Sequence, residues 1–216
     1  MIENLQALLP VLAEGFLTTL SIFFFTLLFS IPLGILIALG KMSKYKVLRY
    51  PITFYISVMR GTPLLLQIVA IYFGIAYMGV NLDRFNAVVI AFSINYAAYF
   101  AEIFRGGIVS IGKGQSEAAA MLGLTKTQTF CKIIFPQVIK RVLPASANEV
   151  ITLVKDTSLA QVIAVAELFS LAKKQQAAYA SIFPLFVAGI FYYAANLILS
   201  LLFEYLEKRL NYYKEK

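Results

Sequence analysis

A few charged and amide side chains interrupt long apolar stretches of this chain. Arg60, Asn95 and Glu149 stand where the flanking residues are apolar enough to cross a lipid bilayer. Polar groups are costly at that depth, so they usually face a partner or a water-filled path. In such a path the Glu149 carboxylate could receive an ammonium or guanidinium group, and the Asn95 amide could bond a polar solute. The alternative for both residues is a structural hydrogen bond or ion pair between helices.

The composition restricts which other chemistry is available. The chain has 216 residues, no His and one Cys, which excludes a disulfide framework and argues strongly against a His- or Cys-based metal site. We expect Cys131 to be a small apolar residue rather than a nucleophile. We also expect this chain to bind no metal or cofactor. The net charge of +8 in a chain that is 60% hydrophobic favours basic cytoplasmic loops of a membrane protein over a nucleic-acid surface.

Apolar runs of about 20 residues, the length needed to cross a hydrocarbon core, predict an all-α integral membrane protein. We predict a single domain over residues 1–216 with about five transmembrane helices, at about residues 16–39, 52–78, 86–108, 138–155 and 184–206. The second span is interrupted at Arg60-Gly61-Thr62-Pro63, because proline lacks a backbone donor and disfavours helix at the preceding residue. Residues 157–168 are apolar but too short to span, which favours a re-entrant or buried helix.

Charge predicts the orientation of these spans. With five crossings, 14 of the 19 basic residues fall on the side of the C-terminus. The positive-inside rule makes that side cytoplasmic and places the N-terminus outside. The polar segment between the third and fourth spans, about residues 113–136, is therefore predicted to lie in the cytoplasm.

That segment predicts a short pair of helices at the membrane surface. Ser116 is a candidate N-cap, and good helix formers follow it. The segment then reads Glu117-Ala118-Ala119, Gly123, Ile133 and Pro136. This order resembles the EAA loop of ABC importer permeases, with Phe135 where that family usually has Leu.

Other segments resemble the branch of those permeases that transports polar amino acids. Arg60 to Leu64 with Gln67 is similar to its RGTP-L-x-x-Q segment, and residues 101–108 are similar to its AEIxRGGI run. Residues 114–124 match GQxEAAxxLGL, and residues 148–149 and 155–159 match its NE and KDTSL stretches. The resemblance covers residues 60–160 and implies the type I (MetI-like) importer arrangement with a cytoplasmic EAA coupling helix.

The resemblance implies a transport subunit without its own catalysis, working by alternating access. Its expected partners are an ABC ATPase carrying ATP and magnesium, an extracellular or periplasmic amino-acid-binding protein, and a second permease copy or paralogue. We expect no phosphate-binding glycine-rich loop, because Gly112-Lys113 lacks the strand context of that motif. The residues assigned to ATPase docking are Glu117, Ala118, Ala119, Gly123 and Leu124.

The third span carries two stripes at helical spacing. Ser93, Ala97 and Ala101 recur every four residues, which favours close helix packing. Asn95, Tyr99 and Glu102 form a polar stripe, of which Asn95 and Tyr99 are assigned with Glu149 and Arg60 to the substrate path. Arg60 could face a substrate carboxylate or hold the helix break open at a subunit contact. The predicted structural ion pairs are Glu102 with Arg105 and Lys155 with Asp156.

Two other function classes compete with the importer. An ion-gradient-driven secondary amino acid transporter would favour inverted repeats, and none is visible in this sequence. An intramembrane enzyme has no support from His, metal-ligand spacing or an activated nucleophile. A mid-membrane Glu149 gives a slight lean to basic amino acids, with glutamine, cystine and acidic amino acids left open.

Overall fold

The computed structural model describes residues 2–210, with side chains described from Gln6 onward, and this part of the chain contains helices and no strand. Its α-helices, labelled α1 to α9 in chain order, cover Ile2–Lys41, Lys46–Gly61, Leu64–Tyr77, Arg84–Val109, Lys113–Met121, Lys126–Thr129, Phe135–Asp156, Leu168–Ala178 and Phe183–Leu210. A π-helical turn, Phe130–Ile134, leads into α7, and a 3₁₀-helix, Thr157–Ile163, follows α7.

Helices occupy all five predicted spans. By length and composition, α1, α4 and α9 can each cross a membrane, and α2 with α3 forms a fourth candidate that is bent by 111°. The fifth, α7, carries five charged residues and does not meet that criterion; these are Lys140, Arg141, Glu149, Lys155 and Asp156. The crossing by α7 therefore stays a prediction.

The first helix is much longer than the predicted 16–39. It is continuous over Ile2–Lys41, a length of about 60 Å at 1.5 Å per residue. That is roughly twice the thickness of a hydrocarbon core. The extension is held by tertiary packing, because Leu8 and Leu12 are buried in one cluster with Leu168 of α8 and Val187 of α9.

The small-residue stripe of α4 packs against α1, and this is the most extensive helix pair within the described residues. Ser93, Ala97 and Ala101 are buried there. Gly34 of α1 approaches so closely that an added Cβ would lie 2.8 Å from the Phe100 Cβ. The close packing predicted from the four-residue spacing is thus confirmed, and its partner is α1.

Residues 157–167 form a half-buried 3₁₀-helix and a short link rather than a full helix. Ala164 ends the 3₁₀-helix in the left-handed region, with φ 58°. The link leads to Glu167, which is fully buried and caps α8 by accepting hydrogen bonds from the backbone N–H groups of Phe169 (2.8 Å) and Ser170 (2.6 Å). Helix α8 was not predicted, and it places a short surface helix between the fourth and fifth spans.

Candidate functional site

The break between α2 and α3 leaves backbone carbonyls without helical partners beside residues 60–63, which are exposed in this chain. Helix α2 ends at Gly61, Thr62 is extended, and Pro63 precedes the first residue of α3. Because the last carbonyls of a helix have no partner within it, a break at this depth requires donors from elsewhere.

Two amide side chains supply those donors. The Nε2 of Gln67 donates to the Met59 carbonyl (3.0 Å) and to the carbonyl (3.2 Å) and hydroxyl (2.7 Å) of Thr62. The Nδ2 of Asn95 donates to the same Met59 carbonyl and to the Oε1 of Gln67, both at 2.9 Å. Asn95 is only 4% exposed. In this conformation its amide joins α4 to the helix break, which is the structural alternative for this residue, and its place on the substrate path stays a prediction.

Arg60, Tyr99 and Glu149 lie next to this break. The Arg60 guanidinium sits over the Tyr99 ring, 5.3 Å from its centroid, an arrangement that favours a cation. Arg60 also lies within electrostatic range of the Glu149 carboxylate on α7. Arg60 is exposed, and Tyr99 and Glu149 are half-buried. Three of the four predicted path residues therefore converge on one partly open, charged surface.

Asp156 belongs to the same cluster. Its Oδ2 accepts a hydrogen bond of 2.7 Å from the hydroxyl of Tyr96, and its charge interacts with that of Glu149. This bond joins α7 to α4, so Asp156 has Tyr96 as its hydrogen-bond donor in addition to the neighbouring Lys155 charge. Tyr96 was not assigned to the site from sequence; its spacing of three residues from Tyr99 was the available signal.

Glu102 lies near the end of α4 that leads into the predicted coupling loop (about residues 113–136), and it binds two cations. Arg105 donates to its Oε2 from Nε (3.1 Å) and Nη2 (2.9 Å), and Lys41 at the end of α1 forms an ion pair with its Oε1. Lys41 was not predicted as a partner. The three residues fasten the last turn of α1 to α4 just before the chain enters the loop.

The coupling loop begins with α5, whose surface is largely unpartnered. Glu117 and Ala118 are exposed, and Met121 and Leu122 are 89% and 79% exposed. Ala119 is buried instead, at 1% exposure, although it was grouped with the docking residues. The helix begins at Lys113, so Ser116 is not its N-cap; Gly112 occupies that position.

Gly123 ends α5 in a Schellman motif. Its φ is +74°, and the backbone N–H of Leu124 donates to the Ala119 carbonyl at 3.1 Å. Thr125 then starts α6 with a capping box completed by Gln128. The predicted pair of short helices is confirmed.

The π-helical turn joins this pair to α7, and Cys131 is exposed within it rather than buried. Arg141 of α7 donates from Nη1 to the Ser110 carbonyl at the end of α4, at 2.7 Å. Ile111, Ile134, Val138 and Val142 pack together beside this bond. The two ends of the coupling loop are therefore fixed to each other, so that α4 and α7 share one base.

Comparison with known proteins identifies this architecture. A family model described as "binding-protein-dependent transport system inner membrane component" matches residues 30–212. The chain belongs to this family. The permease is similar to the arginine transport system permease protein ArtQ of Bacillus subtilis, at 39% identity over 94% of this chain and 93% of that protein. It is also similar to the L-cystine transport system permease protein TcyB of the same species, at 38% identity over 98% of this chain and 91% of that protein. The putative glutamine transport system permease protein GlnP of Rickettsia felis is 36% identical over 92% of both chains.

Solved structures agree with this assignment. A crystal structure of an amino acid ABC transporter with histidines contains a chain that is 36% identical, with a TM-score of 0.89, over 97% of this permease and 98% of that chain. An inward-facing structure of the MetNI methionine ABC transporter is 16% identical, with a TM-score of 0.72 over 98% of this permease and 99% of that chain, which shows the shared fold. The predicted type I importer permease fold is confirmed.

Proposed function

We propose that this permease moves polar amino acids into the cell, with a lean to basic amino acids or glutamine. The observation that carries the substrate class is the cluster of Arg60, Tyr99, Glu149 and Asp156 beside the helix break. Its one guanidinium and two carboxylates give a formal charge of −1, and the neighbouring Lys155 charge acts on Asp156. The similar permeases named for arginine, cystine and glutamine support the amino acid assignment.

Each end of an amino acid has a complementary group in this cluster. Arg60 is available to a substrate carboxylate, because its guanidinium is exposed and stacked rather than locked in a bidentate pair. Glu149 is available to an ammonium or guanidinium group. Tyr99 stacks under Arg60, and Asn95 bonds Gln67 at the helix break.

The energy for transport comes from a separate subunit. An ABC ATPase with bound ATP and magnesium docks on α5, where the small residues Ala118 and Gly123 and the exposed charge of Glu117 fit helix-in-groove contact. Leu124 and the buried Ala119 support that surface from below. A second copy of the permease or a paralogue completes the central path. The N-terminus lies outside the cell and the C-terminus in the cytoplasm. ATP-driven closure of the ATPase subunits alternates the opening of the path between the two sides of the membrane.

The test is uptake of labelled amino acids by proteoliposomes that contain the permease, its ATPase and its binding protein. Glu149→Gln removes one negative charge at nearly constant volume, and a charged hydrogen bond is worth about 1.5–3 kcal/mol. We expect the KM for arginine or lysine to rise roughly tenfold or more, with glutamine uptake changed by less than about threefold. Glu204→Gln, at an exposed ion pair with Lys208, is the matched control and should change neither.

Two outcomes would contradict the proposal. An unchanged substrate panel in Glu149→Gln would remove that carboxylate from the path. Uptake driven by an ion gradient in the absence of ATP would favour a secondary transporter.

A further inference from the structure

Helix α8, Leu168–Ala178, presents a basic face that nothing in the described chain covers. Lys173, Lys174, Ala177 and Ala178 are exposed, and neither ammonium forms an ion pair with a carboxylate among the described residues. With the proposed orientation, this helix lies outside the cell. Its lysine pair is therefore placed against the positive-inside bias that governs most other basic residues of this chain. Because membrane insertion does not favour two lysines on the outer side, a different role must account for them.

The helix is built as a rigid part of the outer surface. Leu168 and Ala172 bury its inner face against α1 and α9. Its N-terminus is fixed by Glu167, which also accepts a hydrogen bond of 3.0 Å from the Tyr192 hydroxyl of α9. The backbone N–H of Leu168 donates to the Thr19 Oγ1 of α1 at 3.2 Å. A load applied to α8 is thus transferred directly to α1 and α9.

The exposed face fits a protein rather than a membrane. A helix that lies in the lipid interface buries large apolar side chains on its outer face. Here the apolar side is already used inside the protein, and the outer side combines two lysines with alanines that allow close approach. Helix α5, on the cytoplasmic side in the proposed orientation, has a similar outer face with an exposed charge and exposed alanines.

We propose that this outer face of α8 is the docking surface for the solute-binding protein, and that Lys173 and Lys174 contact carboxylates on it. The inference rests on the proposed function and orientation, and the family description supplies the dependence on a binding protein. Exposed charge pairs at the rim of an interface mainly raise the association rate and make it sensitive to salt.

The experiment uses the permease with its ATPase in nanodiscs, titrated with a purified solute-binding protein that stimulates ATP hydrolysis of the wild-type complex. We expect Lys173→Glu with Lys174→Glu to raise the half-maximal concentration of binding protein about tenfold at roughly 50 mM salt, and by much less at high salt. The single reversals should give intermediate shifts. Basal hydrolysis should not change, because no ATPase contact is altered.

Arg84→Glu is the matched control for each single reversal, since Arg84 is also exposed, basic and predicted to lie outside. It should leave the titration within about twofold of wild type. Replacing an interface carboxylate of the binding protein by lysine should restore docking to the double variant.

Three results would overturn the inference. The double variant and wild type could give superimposable titrations while the wild type responds normally, which refutes the docking surface alone. A shift that occurs in anionic lipid and vanishes in neutral lipid would assign the lysines to the membrane. A wild-type complex that no binding protein stimulates would refute both the proposed function and this inference.

Discussion

The amide pair at the helix break allows a quantitative prediction. Asn95→Ala removes two donated hydrogen bonds, but the Met59 carbonyl keeps its bond from Gln67 at 3.0 Å. Only the Oε1 of Gln67 loses its described donor. Side-chain hydrogen bonds in membrane proteins average about 0.6 kcal/mol, and an orphaned buried acceptor costs about 1–3 kcal/mol. We therefore expect the free energy of unfolding to fall by about 1–2 kcal/mol.

Gln67→Ala should cost more than Asn95→Ala. It deletes every Nε2 bond to Met59 and Thr62, so that the Thr62 carbonyl loses its side-chain donor at the break. We expect a loss of about 2–3 kcal/mol. In the double variant the Met59 carbonyl loses both side-chain donors, whereas the bond between the two amides is counted once, so the two losses should not add.

Reversible unfolding in mixed micelles measures these free energies, and uptake into proteoliposomes measures function. Asn148→Ala, at an exposed position of α7, is the control and should be neutral. If Asn95 holds the break, its loss should lower uptake of all amino acids by similar factors. Unchanged unfolding together with selective loss of some substrates would refute this reasoning and make Asn95 a substrate contact.

Two further predictions concern glycines. Gly34→Ala should lower the free energy of unfolding by about 1–3 kcal/mol, because the added Cβ would lie 2.8 Å from the Phe100 Cβ. The control Gly74→Ala has nothing within 4 Å of the added Cβ and should be neutral or stabilising. Equal free energies for the two variants would refute the close contact. Gly123→Ala should weaken ATPase co-purification, because an alanine at φ +74° strains the end of α5 by about 1 kcal/mol. Gly123→Arg should weaken co-purification further, whereas the control Gly114→Ala should leave it unchanged. If Gly123→Arg bound the ATPase as the wild type does, docking at this site would be wrong.

The length and spacing of apolar and small residues were sufficient to predict most of the helices and one of their contacts. A span in lipid needs its apolar residues whatever it packs against, so the α4 and α9 segments are visible in the sequence. The small stripe around Ala97 predicted close packing because the spacing alone brings small residues to one face. The capping chemistry at Gly123 and Thr125 is likewise local.

The features that were missed depend on residues distant in the chain. Helix α8 and the first turns of α1 stabilise each other through Leu8, Leu12 and Leu168, and neither has a strong pattern of its own. The N-cap prediction for Ser116 is wrong, because α5 already begins at Lys113. The bond between Gln67 and Asn95 joins residues 28 positions apart, although a glutamine close after a broken helix is a signal that could have been used.

The unbroken length of α1 makes it a lever between the two faces of the membrane. In the proposed orientation its outer end packs on α8, and its inner end is fastened to Glu102 through Lys41. For a rigid rod of about 60 Å, a tilt of about five degrees displaces the far end by roughly 5 Å. That displacement equals about one helical turn. A small rotation of α1 about its outer end would therefore move its other end, at the start of the coupling loop, by several ångströms.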